Sequence, residues 1–134
     1  MSFFRPTFVL GLALVPMLAA CSNLVQDASP FSEKQGRCDL RPVDPQCTDV
    51  RKFKGPSLVT FQGVCGSLTA AKKGATGYTE DATCDSAASL GGCQSTSGDG
   101  SVQTNWYYAG EKYKTADDAK KECSGGQSWV AAAP

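Results

Sequence analysis

Seven cysteines, at positions 21, 38, 47, 65, 84, 93 and 123, are the side chains of this 134-residue chain best equipped for chemistry. A thiol can be alkylated, oxidised to a disulfide, ionised to a nucleophile or bound to metal, and its surroundings decide which. The spacings between the last six are 9, 18, 19, 9 and 30, with no Cys-x-x-Cys pair, and they match no zinc pattern. The chain contains no histidine, which excludes Ser-His-Asp and Cys-His catalysis and His-ligated metal. No catalytic residue, cofactor or metal ligand is therefore expected. Six cysteines in an exported domain of fewer than a hundred residues point instead to three disulfides, because so small a domain buries little apolar surface. Each bridge would remove unfolded-state entropy worth roughly 2–4 kcal/mol. Fifteen pairings are possible. The expected set is Cys38–Cys47, in a segment with no other source of order, Cys93–Cys123, clamping a hairpin to the last helix, and by remainder Cys65–Cys84.

Cys21 is the odd one. It ends the longest apolar run, Phe8 to Ala20 (FVLGLALVPMLAA), which follows the single positive side chain Arg5. Thirteen residues fall short of the ~20 a membrane-spanning helix needs, but they suit the apolar region of a signal peptide. The run closes on Leu18-Ala19-Ala20-Cys21, which resembles the lipobox of bacterial lipoproteins. That resemblance implies a thioether to diacylglycerol on Cys21, cleavage before it, and a further acyl chain on the freed amine. Two acyl signals suffice for stable anchoring, at ~0.8 kcal/mol per buried methylene. The rival is an ordinary signal peptide cut after Ala20. It would put Leu18 at the −3 position, where a small residue is wanted. Ser22 in place of an aspartate implies, by the same resemblance, export to the outer membrane.

The remaining candidates for chemistry have structural explanations. Glu80-Asp81 and Asp117-Asp118 could do acid–base work, but each falls in a predicted first helical turn, where acids complement the helix dipole. Gly91-Gly92-Cys93 and Ser97-Gly98-Asp99-Gly100 lack the lysine and helix context of phosphate loops. Trp106, Tyr107 and Tyr108 on a strand would send Tyr107 to one face and its neighbours to the other. One face should be core, and the exposed remainder is a candidate binding surface for glycan or protein. Arg37, Arg41, Arg51, Lys52 and Lys54 alternate with Asp39, Asp44 and Asp49, which reads as a solvated surface of weak ion pairs. The net charge is zero, and removing the first twenty residues takes away only Arg5 of 13 basic side chains, against 13 acidic. Nothing in that balance attracts nucleic acid.

These residues need elements to hold them. Residues 1–20 are expected as signal peptide, 21–36 as a lipid-anchored flexible tether rich in polar residues, and 37–134 as the folded domain. Two prolines and dense mixed charge between Arg37 and Lys54 argue against a helix or a central strand there. Leu58 to Val64 (LVTFQGV) reads as a strand. Thr79 to Leu90 reads as a short helix capped by Thr79 and ended by Gly91-Gly92. Cys93–Thr96 and Ser101–Tyr108 read as a hairpin, Thr115–Cys123 as the best helix, and Gln127–Ala131 as a last strand. The fold class is small α+β and disulfide-rich, with a short antiparallel sheet and one or two short helices.

Beyond the lipobox, Gly-Gly-Cys (91–93), Thr-x-Trp-Tyr-Tyr (104–108), Cys123 and Gly-Gly-x-x-Trp-Val (125–130) are similar to small cysteine-rich bacterial lipoproteins of no assigned activity. The resemblance covers about the last fifty residues and brings no functional residues with it. The expectation is a non-enzymatic envelope lipoprotein, held to the membrane through acylated Cys21 and binding an envelope protein or glycan. The alternative is an inhibitor of a secreted hydrolase such as a lysozyme or protease, presenting the Arg37–Lys54 segment. A hydrolase activity stands third, for want of histidine.

Overall fold

The computed structural model describes residues 32–134. The predicted signal peptide, Cys21 and the predicted tether as far as Phe31 lie outside the described residues. Six strands and two helices follow one another: β1 (Lys34–Asp39), β2 (Gln46–Phe53), α1 (Gly55–Ala71), β3 (Gly77–Glu80), β4 (Gly91–Thr96), β5 (Val102–Tyr107), α2 (Ala116–Lys120) and β6 (Ser128–Val130). The strands form one antiparallel sheet in the order β3-β1-β2-β5-β4-β6. The domain is thus small α+β with three disulfides, as expected. It starts earlier than expected: β1 takes up Lys34, Gln35 and Gly36 from the end of the predicted tether.

Three segments depart from the sequence reading. Arg37–Lys54 supplies β1 and β2, and β2 lies in the middle of the sheet. Both prolines, Pro42 and Pro45, fall in the connection between the strands, so neither deprives the ladder of an N–H. Leu58–Val64 is part of a 17-residue helix, with Pro56 in its first turn and no side-chain cap from Lys54. Proline fits there because its missing N–H would have no helical partner. Leu58, Phe61, Cys65 and Leu68 recur at helical spacing, and α1 buries Leu58 and Cys65. Local β-propensity lost to that spacing and to a disulfide from Cys65 to β1. Thr79 caps no helix. It lies in β3, and Asp81 turns the chain in the left-handed region (φ 53°). The stretch to Leu90 is irregular and held from outside: Arg37 donates to the Thr83 carbonyl (3.2 Å) and Leu90 N–H to the Tyr107 carbonyl (2.7 Å).

The C-terminal half follows the reading closely. β4 and β5 form the hairpin, and β6 is the last strand. α2 is shorter than expected but starts at Thr115 with a capping box. Thr115 Oγ1 accepts from Asp118 N–H (3.2 Å) while Asp118 Oδ2 accepts from Thr115 N–H (3.1 Å). The paired glycines before Cys93 serve packing. A side chain at Gly91 (φ +134°) would collide with the Trp129 ring, and one at Gly92 would press on Trp106 from the other face.

The disulfides are Cys38–Cys65, Cys47–Cys84 and Cys93–Cys123. Only the last matches expectation. The local Cys38–Cys47 pairing fails because the hairpin puts the two cysteines at adjacent register positions, pointing to opposite faces: Cys38 faces Thr48 and Cys47 faces Asp39 across the strands. Each disulfide joins a strand cysteine to an element that covers one face of the sheet.

The acidic side chains of β1 and β2 are not solvated as expected. Asp39 and Asp49 are buried. Asp49 Oδ2 accepts from Trp106 Nε1 (2.9 Å) and from Cys84 N–H (3.1 Å), tying strand to covering loop. Its Oδ1 faces Arg51 Nε at 3.8 Å. Asp39 takes two hydrogen bonds from the Arg41 guanidinium (2.8 and 2.6 Å) and one from Arg41 N–H (3.1 Å). That guanidinium lies 3.9 Å over the Tyr108 ring. Burial raises the Asp39 pKa, but those hydrogen bonds and the charges of Arg41 and Arg37 outweigh it, and the net shift is downward. Burial likewise pushes the Tyr108 hydroxyl up to about 12.

Two outcomes follow. Non-reducing peptide mapping should recover Cys38–Cys65, Cys47–Cys84 and Cys93–Cys123, with the intact protein six hydrogens lighter than its reduced form; a Cys38–Cys47 peptide would contradict the fold. For Asp39, a folded pKa below the ordinary 3.8 means its stabilisation is complete above that pH and fades as pH falls through the lower folded value. Asp39→Asn should therefore lose roughly 1.5–3 kcal/mol at neutral pH. The gap in urea midpoint between variant and parent should narrow under acid, and a gap constant with pH would refute the assignment.

Candidate cleft on the helical face of the sheet

One cross-strand row explains where a ligand could sit. Reading across the sheet, Tyr78, Cys38, Thr48, Asn105, Cys93 and Trp129 stand opposite one another and share a face. Cys38 is bonded to α1 and Cys93 to the end of the α2 region. Those anchor points are three inter-strand spacings apart, roughly 14 Å. Thr48 and Asn105, between them, are covered by neither disulfide. Thr48 Oγ1 donates to Asn105 Oδ1 (2.9 Å), and both side chains remain partly exposed.

This pair forms part of the floor of a cleft of about 520 Å³. Gln46 and Gln103, near neighbours of the pair on β2 and β5, complete the polar floor. α1 supplies the wall: Ser57, Thr60, Phe61, Val64 and Leu68 repeat at helical intervals along one side. Phe53 closes one end through a β-bulge. The register between β1 and β2 slips between Gly36 and Lys34, and Lys52 takes a left-handed conformation (φ 58°). Strict alternation from Gln46 and Thr48 would send Phe53 to the opposite face. The extra residue turns it toward α1, where its ring meets Phe61 edge-on at 6.3 Å. Phe61 in turn meets Tyr78 at 6.2 Å.

Electrostatically the cleft is neutral. None of its lining residues carries a charge, and its two cysteines are a closed disulfide. The side-chain amides of Gln46 and Gln103 make no hydrogen bond within the described residues, leaving donors and acceptors for an incoming group. Val64 and Leu68 are 54% and 42% exposed, apolar surface with nothing of the domain laid against it. The arrangement can hold a neutral molecule by hydrogen bonds from below and apolar contact from the side; it carries no acid, base or nucleophile.

The residues singled out in the sequence lie elsewhere. Trp106, Tyr107 and Tyr108 are 8%, 4% and 6% exposed and cannot serve as a binding surface. Trp106 and Tyr108 pack with Cys47 and Cys84 on one face, and Tyr107 with Cys93, Tyr113 and Ala119 on the other. Both faces are covered at this point, so no ring is left outside. Glu80 and Asp81 are exposed at the end of β3, and at the start of α2 Asp117 is exposed and Asp118 half-buried, so the two pairs are separate sites. Sequence reasoning missed Gln46, Thr48, Gln103 and Asn105 because uncharged polar residues alternating on a strand carry no motif. The helical recurrence of Phe61, Val64 and Leu68 was the available signal.

No protein-family model, curated protein or solved structure matches the chain. Its own geometry has to carry the functional reading.

The wall should behave as surface and not as core. Leu68→Ala should change stability by less than about 1 kcal/mol, whereas Leu58→Ala on the buried side of α1 should cost about 2–4 kcal/mol. Equal losses in chemical denaturation would show that Leu68 is part of the core.

Proposed function

We propose that the chain is a lipid-anchored lipoprotein of the bacterial envelope whose domain is a non-enzymatic binding module, with the α1 cleft as its binding site. The single observation carrying the binding reading is a neutral cleft whose polar floor and apolar wall are left unfilled by a domain short of core. Such a combination, apolar lining with a few convergent polar groups, characterises ligand sites of ~300–1,000 Å³. The anchor reading rests on the sequence Leu18-Ala19-Ala20-Cys21. It gains support from cysteine arithmetic: six of seven cysteines pair among themselves, which leaves Cys21 as the odd thiol. Among the described residues no helix is long and apolar enough to cross a membrane.

A second reading, inhibition of a secreted hydrolase, draws on the β1–β2 connection. Val43 is 48% exposed there, on a tip braced by Lys72 Nζ to Asp44 Oδ2 (2.6 Å) and Thr76 N–H to the Arg41 carbonyl (3.1 Å). Lysozyme and protease rates measured with the full chain separate the two, since only an inhibitor must slow turnover.

The anchor and the cleft are tested in the same cells. Cys21→Ser should abolish labelling by a clickable fatty acid and release the protein from the membrane fraction; retained label refutes the anchor. Val64→Arg, which sets a charge in the cleft wall, should remove crosslinked adducts formed in the native envelope while leaving the disulfide map intact. Unchanged adducts would refute the cleft as the binding site.

A further inference from the structure

Resting on the reading of the cleft as a binding site, we infer that its ligand is a short uncharged saccharide bearing N-acetyl groups. Charge comes first. With no charged group in the lining, a phosphate, carboxylate or ammonium entering the cleft would lose water and gain no counter-charge. A neutral ligand pays no such penalty.

The floor then selects among neutral ligands. Gln46, Gln103 and Asn105 each present a carboxamide, a planar group carrying donor and acceptor side by side. Adjacent sugar hydroxyls, each both donor and acceptor, match that arrangement, as does the amide of an acetamido group. The Thr48 hydroxyl already donates to Asn105 Oδ1, which leaves the Asn105 amide hydrogens free for a ligand. The wall supplies the complementary part: Val64 and Leu68 can cover an acetyl methyl or the C–H face of a pyranose ring. An extended peptide is the neutral competitor, and the topology argues against it. Peptides that bind sheets pair with backbone groups at an edge strand. The floor of this cleft is β2 and β5, central strands whose backbone groups are already committed to the ladder. Recognition over them has to come from side chains.

The test is calorimetric titration of the full chain, purified in detergent, with three probes. They are the N-acetylglucosamine disaccharide, its de-N-acetylated ammonium analogue and a uronic-acid disaccharide of similar size. The neutral probe should bind saturably and the two charged probes at least about tenfold more weakly, the loss expected when a neutral hydrogen-bonding site meets an uncompensated charge. Binding of the neutral probe should not vary between about pH 5 and 9, because neither it nor any lining side chain titrates there. Asn105→Leu should weaken the neutral probe about tenfold, with an unchanged disulfide map. Should that variant misfold, Gln103→Glu at a partly exposed position gives the second measurement: preference should move from the neutral probe to the ammonium analogue. Equal affinity for charged and neutral probes, no saturable binding of the neutral one, or indifference to both variants would overturn the assignment. If the neutral probe fails while Val64→Arg still removes the envelope adducts, the saccharide is wrong and the binding module stands. If both fail, both readings fall.

Discussion

A six-stranded sheet has two faces to cover, and this domain has few large apolar side chains with which to cover them. The solution is the same three times. A cysteine on a strand is bonded to a cysteine on a covering segment: Cys38 of β1 to α1, Cys93 of β4 to the end of the α2 region, and Cys47 of β2 to the irregular loop around Cys84. Loop closures of 27, 37 and 30 residues lower the entropy of the unfolded chain enough to offset a thin core. Hydrophobic burial then acts locally around each bridge, in three separate clusters.

That mode of attachment shapes the surface. Two covers sit on one face, fastened to strands that are not neighbours, and the strip between them stays open. α1 touches the sheet through Leu58, Phe61 and Cys65 and leaves Val64 and Leu68 about half exposed. In a larger domain another helix would fill such a gap. Here the floor beneath it is polar, Thr48 bonded to Asn105, so the gap resembles a site more than a packing defect.

The opposite face follows another rule. Its cover, the loop from Asp81 to Leu90, has one large apolar side chain, Leu90, and is held by the Cys47–Cys84 bridge and by polar contacts to buried groups. Asp49 links it to the sheet, accepting from the Cys84 amide of the loop and from the Trp106 indole of β5 at once. Tyr108 adds a hydrogen bond from its hydroxyl to the Asp85 carbonyl (3.0 Å). Buried Asp49 persists here because its donors lie on two elements, β5 and the covering loop, and buried Asp39 because Arg41 alone supplies three hydrogen bonds to it.

How much of this was legible beforehand depends on the range of the interaction involved. The β4–β5 hairpin, the capped start of α2 and the last strand were readable because turns, caps and strand alternation act over a few residues. The six cysteines beyond Cys21, an even number, and the absence of histidine pointed to the staple chemistry without any structure. Leu58–Val64 misled because its β-branched residues also fit a helix; the helical spacing of Leu58, Phe61, Cys65 and Leu68, the bond to Cys38 and the packing of Leu58 chose between them. The disulfide partners, the burial of Trp106, Tyr107 and Tyr108, and the cleft depend on which strands become neighbours. β2 pairs with β5 across more than fifty residues of chain, and no local pattern encodes that choice. Composition and short-range stereochemistry therefore determined the building blocks and their chemistry, while the faces they present were decided only when long-range pairing set the order of the strands.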